Sequence, residues 1–161
     1  MSKIFKSAVL ASAMAVTALT GASSALAQPS ADTFTFTSQA SSNVTVGSDG
    51  TGLNPYSGSY LTGTSETAFA NGTNTAGNYT CVSMTQPPTD SLFDAHMLCD
   101  VTDSQGSYSV TFGCTIIDAA TVNWSCIGGL YGKSGAYEGR RGTLTNHTVG
   151  DAATGTGQWY R

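Results

Sequence analysis

The chain has 161 residues, a formal net charge of −4 and a charged fraction of 10%. Setting aside Lys3 and Lys6, which belong to a leader, the rest carries four basic residues against ten acidic ones, about −6. Such a chain lacks the broad basic face that nucleic acid demands and the polybasic segment that an electrostatic membrane anchor demands.

Residues 1–27 read as a signal peptide. Lys3 and Lys6 form a positive n-region and Ala8 to Leu19 an apolar h-region. Ala25-Leu26-Ala27 then fits a small-x-small cleavage site, placing the cut before Gln28. The expected destination is the periplasm or the exterior. No later stretch approaches the ~18 apolar residues of a spanning helix, so no membrane span is expected in the mature chain. Residues 28–161 are one domain by length.

From Gln28 onward the apolar spacing alternates and no helical period emerges. The strand-like runs, in order, are Thr33–Thr37, Asn43–Gly47, Ser57–Thr64, Asn78–Thr85, Ala95–Thr102, Ser107–Ile117, Thr121–Tyr131, Gly142–Val149 and Gly155–Tyr160. Turn signals separate them at Ser48-Asp-Gly50, Asn71-Gly72, Gln86-Pro-Pro-Thr-Asp90, Asp103-Ser-Gln-Gly106 and Asp118-Ala-Ala120. Two low-complexity stretches, Ser38–Ser42 and Asn71–Gly77, read as surface loops. Short runs with brief connections predict an antiparallel all-β meander, either a sandwich or a closed barrel.

The inner face follows from parity. Tyr108, Val110, Phe112, Cys114 and Ile116 share one side of their run, as do Val122, Trp124, Cys126 and Leu130, and Met97, Cys99 and Val101. Four cysteines in an exported chain, with no C-x-x-C pair and long irregular spacings, point to two disulfides rather than zinc. A three-residue loop at Ala119–Thr121 sets Cys114 opposite Cys126. Folding Ala95–Thr102 back about Gln105 sets Cys99 near residue 111, too far from Cys114 for a bond. The expected pairs are therefore Cys81–Cys99 and Cys114–Cys126.

Titratable candidates are few. Asp94, His96 and Asp100 share a parity opposite Met97 and Cys99. They are either a proton shuttle with metal-ligand potential or, in the favoured reading, a solvated outer face. His147 shares its parity with Thr143, Thr145 and Val149. Neither a Gly-x-Ser-x-Gly elbow nor a phosphate-binding glycine loop is present, and no cofactor is expected.

The segment from Gly128 to Thr143 packs six glycines, two tyrosines and three basic residues into sixteen positions, which rules out a helix and predicts a tight loop between strands. Lys133, Glu138, Arg140 and Arg141 could form a basic rim at the mouth that grips a carboxylate-like head group. Alternatively they are a polar loop with a surface ion pair worth ~0–1 kcal/mol. Both readings stay open. Tyr131 and Tyr137 in this loop, with Phe112 and Trp124 on the strands, complete the set of ligand-binding candidates.

The run Ser134-Gly135-Ala136-Tyr137-Glu138-Gly139-Arg140-Arg141-Gly142, with Gly155–Trp159 as the closing strand, resembles the barrel family of allene oxide cyclases and dirigent proteins, which has many bacterial members. The resemblance covers about a third of the mature chain. It implies an eight-stranded antiparallel barrel holding one hydrophobic small molecule, a size that suits a lumen of that strand number. Family members guide cyclisation or radical coupling with acidic, arginine and aromatic residues on earlier strands, for which no matching positions stand here. Two disulfides also depart from the intracellular cyclase pattern. Three functions follow as expectations. The first is a binding module for a small hydrophobic or amphipathic molecule, with Phe112, Trp124, Tyr108 and Trp159 as wall or plug. The second is a cyclase or isomerase without metal or nucleotide cofactor, for which Glu66 and the loop arginines are the nearby ionisable groups. The third is a structural or surface protein, with which an oligomer is compatible.

Overall fold

The computed structural model describes residues 32–47, 57–85 and 92–160. The expected signal peptide and the turn signals at 48–50 and 86–90 lie outside the described residues. Eight strands follow one another: β1 (Asp32–Val46), β2 (Gly58–Phe69), β3 (Asn74–Thr85), β4 (Ala95–Asp103), β5 (Gly106–Asp118), β6 (Asn123–Gly135), β7 (Arg141–Val149) and β8 (Ala152–Tyr160). Each pairs antiparallel with its neighbour in sequence, and β8 returns to β1, closing the barrel. Closure pairs both edges of the strands over the body of the barrel, which matters for strands so rich in Thr and Ser that little apolar surface would otherwise hold them in register.

The first two expected runs are one strand. Ser38–Ser42, expected as a surface loop, lies within β1, with a register shift between Ala40 and Ser42 against β2. Ser38 and Ala40 turn inward, and the Ala40 amide donates to the Asp151 carbonyl at 2.8 Å. The bulge frees β1 from β8 and lets it continue beside β2 alone. The second expected loop ends at Thr73, where the Asn71 side chain accepts from the Thr73 amide, and Asn74 to Gly77 already pair in β3.

The cysteine registers hold. Cys81 faces Cys99 and Cys114 faces Cys126, and both pairs are bonded. Cys99 sits beside Val110 rather than residue 111, because the β4–β5 turn is the two residues Ser104 and Gln105. The β5–β6 turn has four residues, Ala119 to Val122, and a shift between Ile116 and Asp118 absorbs the extra one.

Glycine on β8 makes room for the rings of β1. A Cβ on Gly155 or Gly157 would stand within 2.4 Å of the Phe36 or Phe34 ring, so those rings pack against bare backbone. Between β6 and β7, Gly135 and Gly139 both have left-handed backbone, with φ of 64° and 71°. A side chain on Gly135 would also meet the Gln105 carbonyl oxygen at 2.1 Å, whereas Gly139 faces open space. Gly139→Ala should therefore cost about 1–2 kcal/mol, the left-handed penalty alone. Gly135→Ala should cost clearly more, and paired thermal melts will show the gap.

Candidate functional site

The two barrel ends differ. At one end gather the β2–β3 and β4–β5 turns and the β6–β7 loop. There the chain folds inward after Gly135: the Ala136 amide donates to the Gln105 carbonyl at 2.9 Å and the Gly132 amide to the Arg140 carbonyl at 3.0 Å. This tucks Tyr137 beneath the sheet, where it and Trp159 are each 1% exposed. Their rings stack at 5.1 Å, and Tyr108 meets both edge-on, at 5.0 and 5.4 Å. Asp103 locks this floor. One carboxylate oxygen accepts from the Gln105 and Gly106 amides, and the other accepts from the Tyr137 hydroxyl at 2.7 Å.

The β6–β7 loop folds under this end of the barrel, and its basic residues stand with partners of their own. Arg140 donates to Asp32 at 2.6 Å and lies over the Trp159 ring at 5.6 Å. Lys133 pairs with Asp100 on the outer wall at 2.9 Å, and Arg141 lies 4.1 Å over the exposed Tyr131 ring. Glu138 is exposed. Each cation is held where a carboxylate or ring already stands, and none lines the lumen. Asp100 titrates below the ordinary carboxylate range, chiefly through the Ser109 hydroxyl and then Lys133.

Above the floor a cavity of about 580 Å³ runs up the axis to the opposite end, reaching Ala119, Val122, Gly150 and Asp151 on the turns there. Phe112 and Trp124, two of the expected wall residues, line it together with Phe34, Leu61, Val110 and Leu130. Cys81, Cys99 and Cys126 also line it, and Cys114 lies in the adjoining buried core. Its polar groups are uncharged (Ser38, Ser59, Ser65, Ser83, Tyr79 and Asn146 among them), and Asp151 at the rim is the one charged side chain among the described lining residues. Glu66, expected nearby, is exposed and has the outward parity.

Asp94, His96 and Asp100 lie on the outer side, as the solvated-face reading expected. Asp94 accepts from the Ile116 amide at 2.8 Å, and the His96 ring meets Phe93 edge-on at 5.5 Å. His147 faces Asn123 across the outer wall at 2.9 Å. Among the described residues no group of three His, Cys, Asp or Glu stands close enough to hold a metal, and no helix is long and apolar enough to cross a membrane.

Sequence reasoning missed the lumen's polar residues. Asn146 alternates with the noted Thr145 and His147, so it shares the opposite parity with Leu144, an apolar residue that marks the inward face. Asp103 was visible as a turn residue, but nothing local signals its bond to Tyr137, 34 positions away.

Comparison with family models, with curated proteins and with solved structures gives no match for this chain. The site's chemistry must therefore be read from its own geometry.

Burial raises the pKa of Tyr137, reinforced by its bond to Asp103, and burial with the Asp103 charge raises that of Tyr108. Unfolded, both phenols would titrate near 10. The folded pKa values lie higher, so this stability is fully present below pH 10 and is lost as pH rises above it. Each phenol that the unfolded chain alone ionises removes about 1.4 kcal/mol per pH unit. Urea midpoints should fall steeply between pH 10 and 12, and Tyr137→Phe should flatten the fall.

Proposed function

We propose that the protein is an exported β-barrel that holds one small hydrophobic or amphipathic molecule in its lumen. The observation that carries this reading is the roughly 580 Å³ left after the aromatic rings of the described residues are seated, within the range of ligand sites and well above the ~300 Å³ at which they begin. A barrel built solely for stability would fill that space, since an empty core forfeits dispersion contacts along its whole lining. Two disulfides suit an oxidising compartment, periplasmic or extracellular. The likeness of the Ser134–Gly142 run to allene oxide cyclases and dirigent proteins supports the same pocketed barrel.

Within that resemblance a cyclase or isomerase is the alternative. Its catalysis would rest on holding a reactive conformer, because Tyr79 and Tyr108, the lumen phenols with shifted pKa, are shifted upward, away from the neutral range that favours proton transfer.

The test uses neighbours on opposite faces of β2. Ser65 lines the lumen and Thr64 is exposed. Ser65→Trp should abolish displacement of a neutral environment-sensitive dye from the barrel, while Thr64→Trp should leave it intact. Equal dye binding by both variants would remove the lumen from consideration. Native mass spectrometry of protein from its source reads the bound mass directly.

A second reading, self-association, has its own observation. Val44, Tyr60, Val82 and Leu98 lie opposite one another across β1 to β4 and each is half-exposed or more, with Val46 and Met84 flanking them. Together they present on the order of 600 Å² of apolar side chain, approaching the ~800 Å² per partner of a standard interface. The same native mass spectrum would show a second copy.

A further inference from the structure

We infer that the molecule held in the lumen is neutral and carries a hydroxyl group that hydrogen-bonds Asn146. The inference rests on the lumen reading above and narrows it to a ligand class. Asn146 stands on the inward face of β7, lines the cavity and is 7% exposed. Its Nδ2 donates to the Thr148 hydroxyl at 3.1 Å, while its Oδ1 is buried and has no partner. A buried acceptor left unmatched costs about 1–3 kcal/mol, and a Leu at this position would carry no such penalty. Its neighbours across the ladder, Cys126 and Gly155, offer no side-chain donor. The missing donor is the one an occupant would supply. A hydroxyl both donates and accepts, so it serves the carboxamide whichever way the amide is turned.

The charge pattern narrows the head group further. An ionised carboxylate taken into this lumen would find no cation among the described residues, since Lys133, Arg140 and Arg141 are committed to the outer wall and the floor. It would also pass Asp151 at the rim. A buried unpaired charge is far costlier than a buried hydroxyl. A site built to bond an OH rejects analogues that lack it, because its own polar group is then left bare.

The experiment titrates the full barrel at pH 7 with four probes of one body: 2-naphthol, 2-methoxynaphthalene, naphthalene and 2-naphthoate. Expected is 2-naphthol binding about tenfold more tightly than the methoxy ether or the hydrocarbon, with the carboxylate weakest. In Asn146→Leu that preference should vanish, naphthalene should bind at least as well as before, and the melting temperature should rise. Asn146→Thr, smaller and still polar, keeps the comparison available if the leucine variant misfolds, and should narrow the preference. Equal binding of the three neutral probes to the unaltered protein would overturn the hydroxyl assignment while leaving the lumen reading standing. A naphthol preference that survives in Asn146→Leu would overturn Asn146 as the anchor, and tighter naphthoate binding would overturn the neutral head group. Failure of all four probes, together with dye binding unaffected by Ser65→Trp, would overturn the lumen reading and this inference with it.

Discussion

Trp159→Ala is expected to lower the unfolding free energy by about 3–5 kcal/mol, the range for emptying a buried large aromatic site. Against a total of about 5–15 kcal/mol for a domain, that is enough to bring the barrel near its threshold. The indole sits where β8 meets β1 and β7, opposite Asp32 and Gly142. It stacks on Tyr137, receives the Tyr108 edge and lies beneath the Arg140 guanidinium. Alanine there removes one ring contact from each of these groups at once, and the closed end of the lumen loosens. Tyr160→Ala, one residue on and outward-facing, should cost far less, because the residue is 36% exposed and its hydroxyl meets the Thr143 and Gln158 side chains at the surface. Equal losses in the two variants, measured by urea unfolding, would show that the aromatic floor is not what holds this end.

The floor also shows how far the sequence could be read. Parity alone put Tyr108, Val110, Phe112 and Cys114 on one face, and both disulfides followed from register, because strand period and turn length are local properties. Strand number was also within reach, once Ser38–Ser42 is understood as strand. The low hydrophobicity of that stretch looks like a loop, yet a barrel with a lumen needs inward-facing serine and alanine there. What could not be read was which end is closed. The glycine-rich loop announces a tight turn, but whether it gapes or folds under depends on contacts such as Tyr137 to Asp103, 34 residues apart, and Arg140 to Asp32, 108 residues apart. Arg140 illustrates the consequence. As a rim residue it would be dispensable to the fold. With its side chain only 21% exposed between Asp32 and Trp159, it is part of the floor. Asn146 was hidden for a different reason: a polar residue on an inward parity reads as an interruption of the core until the core proves to be hollow.

Removing either disulfide, as Cys81→Ala with Cys99→Ala or as Cys114→Ala with Cys126→Ala, should cost about 2–4 kcal/mol, and removing both should leave little or no folded protein at 37 °C. The separations are 18 and 12 residues. On chain entropy alone the difference between them is a few tenths of a kcal/mol in favour of the longer loop. The structure adds a larger asymmetry. Cys114–Cys126 staples a hairpin already closed by a four-residue turn, in which Asp118 accepts from the Ala120 amide and the Thr121 hydroxyl. The β3–β4 connection is longer, running from Thr85 to Ala95, so Cys81–Cys99 does more of the work of holding its strands together. Loss of Cys81–Cys99 should therefore be the more damaging, and equal melting temperatures for the two pairs would contradict this. Both bonds lie on the inner face, with all four cysteines no more than 4% exposed. Cys81, Cys99 and Cys126 line the cavity, so a small reductant should reach the bonds through the lumen, and reduction under native conditions measures access to it. A lumen ligand that closes that route should slow reduction in proportion to its occupancy, which makes the two disulfides an internal reporter for the binding experiments.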